Sequence, residues 1–292
     1  MYDVIIIGGG PAGMMSAISA ATNSKKKLKI GLLEKNSSLG KKLLITGGGR
    51  CNVTNSEFDV RKFLAHYKDS DKFLFSAFSQ YAVKETLDFF HGKKMDTKIE
   101  NEGRTFPISD SARTVYNVLV NEMERLGVEV LTNAKVEGFV LSKNGEVSHV
   151  DGVEVMLGKK KETLVAKTYI LATGGTSHPE TGSTGDAYPW LRLLGHDVNM
   201  PKPVLVPVMI KEQWVRALQG KTLQDVKLSI VVAEEKIAVK KGRILFTHFG
   251  VSGPTILNMS KKISDLLDKG TLTSEGRINK VNIHLDLLPA FD

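Results

Sequence analysis

Hydrophobic positions change their period along the chain, and the changes mark its elements. Residues 3–7 form a short apolar run rich in β-branched side chains, the pattern of a strand buried on both faces. Residues 14–21 predict a helix of small residues, and residues 28–33 a second strand. Apolar residues at helical spacing over 71–78 and 82–90 predict two core-packing helices. Residues 97–107 read as a hairpin-like pair of short strands. The stretch 111–127 reads as a helix with Ser111 as N-cap, Val115, Leu119 and Met123 on one face, and Gly127 as its stop. Residues 128–140 and 146–156 alternate as antiparallel strands, joined by a turn at Lys143-Asn144-Gly145. An apolar strand over 164–171 and a helix over 187–194 follow, the latter capped by Ser183 or Thr184. Pro201-Lys202-Pro203 marks a boundary. Beyond it, 204–210, 226–232, 236–239, 244–247 and 280–287 predict strands, with one helix from Gly253-Pro254 through Leu267. The expectation is an α/β first domain over 1–200 and a mainly β second domain over 201–292.

The first strand runs directly into Gly8-Gly9-Gly10-Pro11-Ala12-Gly13, which supplies G-x-G-x-x-G. In such a turn the three glycines act differently. Gly8 permits the tight bend, Gly10 lets backbone approach a pyrophosphate, and Gly13 lets helix and strand pack closely. The helix that Pro11 and Ala12 open offers N–H groups and a positive dipole end to phosphate. Glu34 ends the second strand about 20 residues past the last glycine, where it suits a ribose, and Lys35 stands beside it. A glycine-rich turn with a surface glutamate is disfavoured, because strand, turn, helix, strand and acid fall in order. The pattern predicts a Rossmann-like dinucleotide site.

This fingerprint serves NAD and FAD alike, and later segments favour FAD. Leu39-Gly40-Lys41-Lys42 and Thr46-Gly47-Gly48-Gly49-Arg50-Cys51-Asn52 make a second glycine-rich stretch, suited to backbone lying flat against a ligand. Arg50 and Asn52 suit phosphate or flavin edges. Cys51 reads as a small residue packed under the flavin, or as a reactive thiol if Arg50 favours its thiolate. The strand over 164–171 returns into Ala172-Thr173-Gly174-Gly175, small residues that let it pass close to the cofactor. The strands around Val136 would present a backbone group to adenine. Gly185 and Asp186 resemble the place where related flavoproteins contact the ribityl chain.

At these residues the chain resembles the BaiN/YhiN-like flavoproteins, a branch of the glutathione-reductase-like FAD superfamily. The resemblance is carried by residues 3–14, 33–55, 103–107 with 109–112, 172–185, and 242–248 through Gly253-Pro254, and it covers essentially the whole chain. It implies a discontinuous FAD domain of glutathione-reductase type, an inserted, mainly β domain, and NAD(P)/FAD-dependent oxidoreductase activity on a small organic substrate. No member's substrate is carried over. Family chains continue into a closing segment that returns to the flavin, whereas this sequence ends at Leu287-Leu288-Pro289-Ala290-Phe291-Asp292, so it reads as truncated.

In a flavoenzyme the ring carries the redox chemistry and the protein positions the substrate. The proton-transfer candidates are His178 and His248, each equally readable as a local polar residue. No second G-x-G-x-x-G is present, so NAD(P)H, as a transient donor, would dock over the flavin or in the second domain. One cysteine among 292 residues excludes an intramolecular disulfide, and no Cys/His spacing suits a metal. With no membrane-length apolar run and no cationic leader, a cytoplasmic protein is expected. The net charge is +8, but the lysines are scattered, so RNA is the less favoured partner. A flavin-binding protein without catalysis is the third reading. Oligomeric state is not legible.

Overall fold

The computed structural model describes residues 1–67, 70–144, 147–268 and 280–288. Its chain divides into two compact units, Met1–Met200 and Pro201–Asp292.

The first unit is built on a parallel sheet. Strand β1 (Tyr2–Ile7) leads through the glycine turn into α1 (Pro11–Asn23), then β2 (Ile30–Leu33) and the short α2 (Lys41–Ile45). Next come β3 (Thr54–Asn55), α3 (Val60–Ala65), α4 (Asp71–Phe78), α5 (Val83–Gly92), β4 (Thr97–Ile99) and β5 (Arg104–Pro107). Helix α6 (Ala112–Arg125), β6 (Glu129–Leu131), β7 (Ala134–Asn144), β8 (Val147–Leu157), β9 (Lys160–Leu164), β10 (Ala166–Leu171) and α7 (Ala187–Leu193) complete it. The parallel order is β10-β1-β2-β6, so the strand that returns late in sequence lies directly beside the first. Val4 and Ile6 face one way, into a core with α1 and α6. Ile5 and Ile7 face the other, against the antiparallel meander β7-β8-β9. Burial on both faces is why β1 reads as an unbroken apolar run.

In the second unit, β11 (Val208–Met209), α8 (Trp214–Ala217), β12 (Thr222–Val232), β13 (Glu235–Phe246), β14 (Gly250–Ser252), α9 (Pro254–Asp268) and β15 (Val281–Asp286) form an antiparallel sheet with two helices. Its order is β11-β14-β13-β12-β15. Ile256, Met259 and Ile263 of α9 share a separate core with Leu228, Ile230, Ile244 and Phe246.

Several predicted elements are corrected. Helix α4 exists, but none of its residues is buried. Leu74 and Phe78 sit one turn apart and only half-buried, Phe78 reaching Phe63 and Tyr67, while Phe73 is 86% exposed. The stretch 128–140 is not one antiparallel strand. It splits at Asn133, whose left-handed backbone (φ 52°) turns the chain from β6, parallel to β2, into the meander. The predicted strand over 164–171 starts only at Ala166, after β9 has ended at Leu164. Residues 236–239 and 244–247 belong to one continuous strand, and of 204–210 only Val208–Met209 is strand. Ser111 holds the N-cap position without a side-chain bond, and α7 starts from Asp186, with no side-chain cap from Ser183 or Thr184. The turn residue Gly145 lies outside the described residues, although Asn144 pairs with Val147 at its base.

Candidate functional site

The carboxyl ends of β1 and β10 build the centre of the site. Gly8 bends with φ 112°, and a Cβ there would stand 2.4 Å from the Ala172 carbonyl oxygen. At Gly13 a Cβ would lie 1.9 Å from the Gly8 oxygen, so the helix can approach the turn only without a side chain. Gly10 differs: a Cβ on it meets nothing within 4 Å. It opens α1 in extended conformation, Pro11 takes the first turn, and no side chain caps the end. The space before Gly10, with the N–H groups of the first turn at its back, has the geometry a pyrophosphate would fit. These residues fit FAD, which would rest its phosphates there.

Glu34 closes the other side. Its carboxylate is buried and accepts from the Gly9 N–H at 2.8 Å through one oxygen. Through the other it accepts from the Asn36 backbone and side-chain amides, both at 2.8 Å. The acid thus holds the glycine turn as well as standing where a ribose would bind. Glu34 is itself fixed by its backbone, which donates to Leu131 and accepts from Ala134.

Lys35 donates to Asp186 and Thr184, both at 2.6 Å. Burial pushes the Asp186 carboxyl up, but Lys35 and Thr184 outweigh it and hold the group below its usual value. Lys41 donates to Asn36 at 3.1 Å, and Lys42 to Ser183 at 2.6 Å. Burial lowers the Lys42 pKa. These bonds tie residues 35–42 to the 181–186 loop. Between them lies a cleft of about 40 Å³ lined by Gly8, Glu34, Lys35, Val136, Thr173 and Asp186. The space left between these side chains is small.

Val136 is buried at the start of the meander, and Thr173 follows the returning strand, so both predicted contacts reach this cleft. Ala172 pairs by its N–H with Ile7. Gly174 (φ 75°) lies under Ser183, while Gly175 and Gly185 pack near Tyr188. The sequence reading missed Gly9, Asn36, Lys42, Ser183 and Thr184 as parts of this network; the Lys41-Lys42 pair at the head of α2 was the available signal.

The second glycine stretch turns back on itself. Thr46 donates to Leu43 at 2.6 Å, Gly47, Gly48 and Gly49 all have positive φ, and Cys51 follows at φ 62°. Arg50 does not face the dinucleotide cradle. It donates to Glu100 at 2.8 Å and Asp110 at 3.3 Å, and its guanidinium lies 4.0 Å over the Phe106 ring. Cys51 is buried, and burial raises its thiol pKa, so no Arg50-stabilised thiolate forms. Asn52 accepts from the Thr105 N–H at 3.2 Å. Arg50 and Asn52 therefore clamp the β4–β5 hairpin onto the loop.

The histidine candidates belong to different units. His178, in the first, is exposed, left-handed, and paired with Glu180 at 2.8 Å. His248, in the second, is exposed with its ring edge on Phe249. Among the described residues no cluster suits a metal, and no helix is long and apolar enough to cross a membrane.

Residues 2–280 match the family model described as HI0933-like protein, Rossmann domain. The chain is 31% identical over its whole length to a 3-dehydro-bile acid delta(4,6)-reductase of Clostridium scindens, of which it covers 66%. It is 30% identical to a ribosomal RNA dihydrouridine synthase of Escherichia coli, over 89% of this chain and 60% of that protein. It thus spans less than two thirds of the length of these curated relatives. Among solved structures, 3-ketosteroid delta1-dehydrogenase of Sterolibacterium denitrificans aligns with TM-score 0.56 and 14% identity, over 78% of this chain and 62% of that one. That likeness shows the fold, an α/β architecture with a Rossmann-like domain.

Proposed function

The chain belongs to the HI0933-like Rossmann family, and from that premise we propose that it is an FAD-dependent oxidoreductase that saturates a carbon–carbon double bond conjugated to a carbonyl. The cradle at Gly10, walled by Gly8 and Gly13 and backed by Glu34, carries the cofactor assignment. The substrate chemistry is suggested by the relatives' names. A delta(4,6)-reductase of a 3-dehydro bile acid and a dihydrouridine synthase both denote reduction of a double bond in an unsaturated carbonyl ring. When bound, the flavin would supply a hydride to one carbon of the double bond while a proton from solvent completes the other, and a donor such as NAD(P)H would return a hydride to the flavin. The chain's residues hold the dinucleotide, orient the substrate and limit water.

The test begins with the visible spectrum of the purified chain and identification of any chromophore it releases. FAD is expected. Anaerobic reduction by NADH or NADPH, followed by addition of a cyclic enone, should bleach and then restore the flavin band. A chain that neither holds nor takes up FAD would sink the proposal.

A second reading is supported by the two relatives named as acting on ribosomal RNA and by the net charge of +8. In this reading the unsaturated ring is a uracil within RNA. Phosphate contacts make such binding fall steeply with salt, and a titration over a salt series separates the readings.

A further inference from the structure

The lysines along the dinucleotide path differ in what answers their charge. Lys35 meets the Asp186 carboxylate at 2.6 Å. Lys41 donates to Asn36, which itself donates to the Glu34 carboxylate. Lys42 has no carboxylate within ion-pair distance among the described residues, and its hydrogen bond goes to the neutral Ser183 hydroxyl at 2.6 Å. Glu180 acts on it only at a distance, with its carboxylate paired to His178 at 2.8 Å. An ammonium carries three donors, so two of those on Lys42 have no protein partner among the described residues.

The fold puts this ammonium beside the glycine turn. Gly40, the N-cap of α2, donates its N–H to the Gly9 carbonyl at 2.9 Å, which ties the start of α2 to the turn. Ser183 is buried, and its hydroxyl lies 3.0 Å from where a Cβ on Gly174 would stand, just past the end of β10. Lys42 therefore joins the two segments that frame the dinucleotide path. It also lines a cavity of about 340 Å³ together with Pro11, the first residue of α1. No other lining residue of that cavity is a cation, and Met15, Leu43, Phe90 and Leu119 make much of its wall apolar. Burial lowers the Lys42 pKa. The ammonium has lost hydration without gaining a counter-ion.

We propose that Lys42 is the counter-ion of the cofactor's pyrophosphate, closing from α2 the site that the first turn of α1 opens. The proposal rests on the FAD assignment above. A pyrophosphate is doubly ionised near neutral pH, while a helix N-terminus supplies only about half a positive charge. Lys35 is neutralised by Asp186, and the buried Glu34 adds a negative charge on the ribose side. The site thus leaves an anion short of positive charge, and Lys42 is a cation short of an anion. Its two spare N–H donors suit phosphate oxygens, which accept charge-assisted hydrogen bonds. A neutral ring in the cavity would leave the ammonium uncompensated.

The test is calorimetric titration of the full chain with FAD and separately with ADP, which carries both phosphates without the flavin. Lys42→Met and Lys42→Gln each remove the charge, so a folding failure in one leaves the other to decide, and Lys42→Arg keeps it. In the neutral variants both nucleotides should bind at least roughly tenfold more weakly, and by the same factor. Lys42→Arg should retain most of the affinity. The urea midpoint of the nucleotide-free chain should not fall in Lys42→Met, because hydrocarbon replaces an ammonium that lacks a counter-ion. Any of four results overturns the proposal: nucleotides bound as tightly by the folded neutral variants as by the wild type; FAD weakened while ADP is not, which would give the charge to the flavin ring; Lys42→Arg as weak as Lys42→Met; or a nucleotide-free midpoint that falls in both neutral variants, which would make the loss structural. A wild-type chain that binds neither nucleotide sinks the FAD reading instead, and that failure is seen before any variant is compared.

Discussion

Glu34 carries two loads, and they can be separated. Its carboxylate satisfies the Gly9 N–H and both Asn36 amide groups in the protein itself, and it stands where a ribose would bind. Glu34→Ala leaves those donors without their acceptor, at a cost of about 1–3 kcal/mol. That loss should appear as a lower urea midpoint even without FAD. Glu34→Gln keeps one carbonyl acceptor and should recover part of the stability, while FAD titrated by flavin fluorescence still binds several-fold more weakly. An unchanged midpoint in Glu34→Ala would show that the Gly9 contact holds nothing. The fingerprint was legible because its residues lie within one turn and one strand. Their mutual bonds were not, since a motif shows which residue types cluster and not which donor an oxygen takes.

Between elements, the clearest electrostatic tie joins the end of α5 to α6. Glu122, buried on α6, accepts from Arg125 at 2.8 Å and from Lys93 at 2.7 Å. The Arg125 hydrogen bond first, then Lys93, pull its pKa from 4.5 to about 2 against the opposing effect of burial. The folded value lies below the unfolded one, so the stabilisation is complete above pH 4.5 and is lost as pH falls toward 2. Arg125 is largely exposed and screened, which reduces the contribution to about 1–2 kcal/mol. Glu122→Gln should be less stable by that amount at neutral pH and converge with the wild type near pH 2; urea midpoints across the range check it. A constant difference at every pH would assign the loss to packing instead. Elements of strong period, such as β1, α1 and α6, were readable for the same reason that they are buried. The stretch 128–140 misled because β6 and β7 both belong to sheets, and only Thr132 and the left-handed Asn133 separate them. The lysine ties escaped notice because Lys35 reaches Asp186 across 151 positions and Lys42 reaches Ser183 across 141.

Two units with separate cores make a whole-molecule prediction. Every residue of the dinucleotide cradle and its network, from Gly8 to Asp186, lies in Met1–Met200, whereas Pro201–Asp292 has its own cluster around Leu228, Ile244 and Ile256. A ligand stabilises only the unit whose unfolding releases it. FAD at a hundred times its dissociation constant should therefore stabilise the first unit by about 2.7 kcal/mol. For a unit of that size the shift in midpoint is roughly 5–10 °C. Differential scanning calorimetry should resolve two transitions, one that moves with FAD and one that stays. The moving transition should carry the larger enthalpy, since unfolding enthalpy scales with the number of residues that unfold. If a single transition rises with FAD, the units unfold as one cooperative block; if two transitions both rise, the cofactor's hold extends beyond the first unit. If the smaller transition moves instead, FAD is held in the second unit and the cradle at Gly10 is not its site.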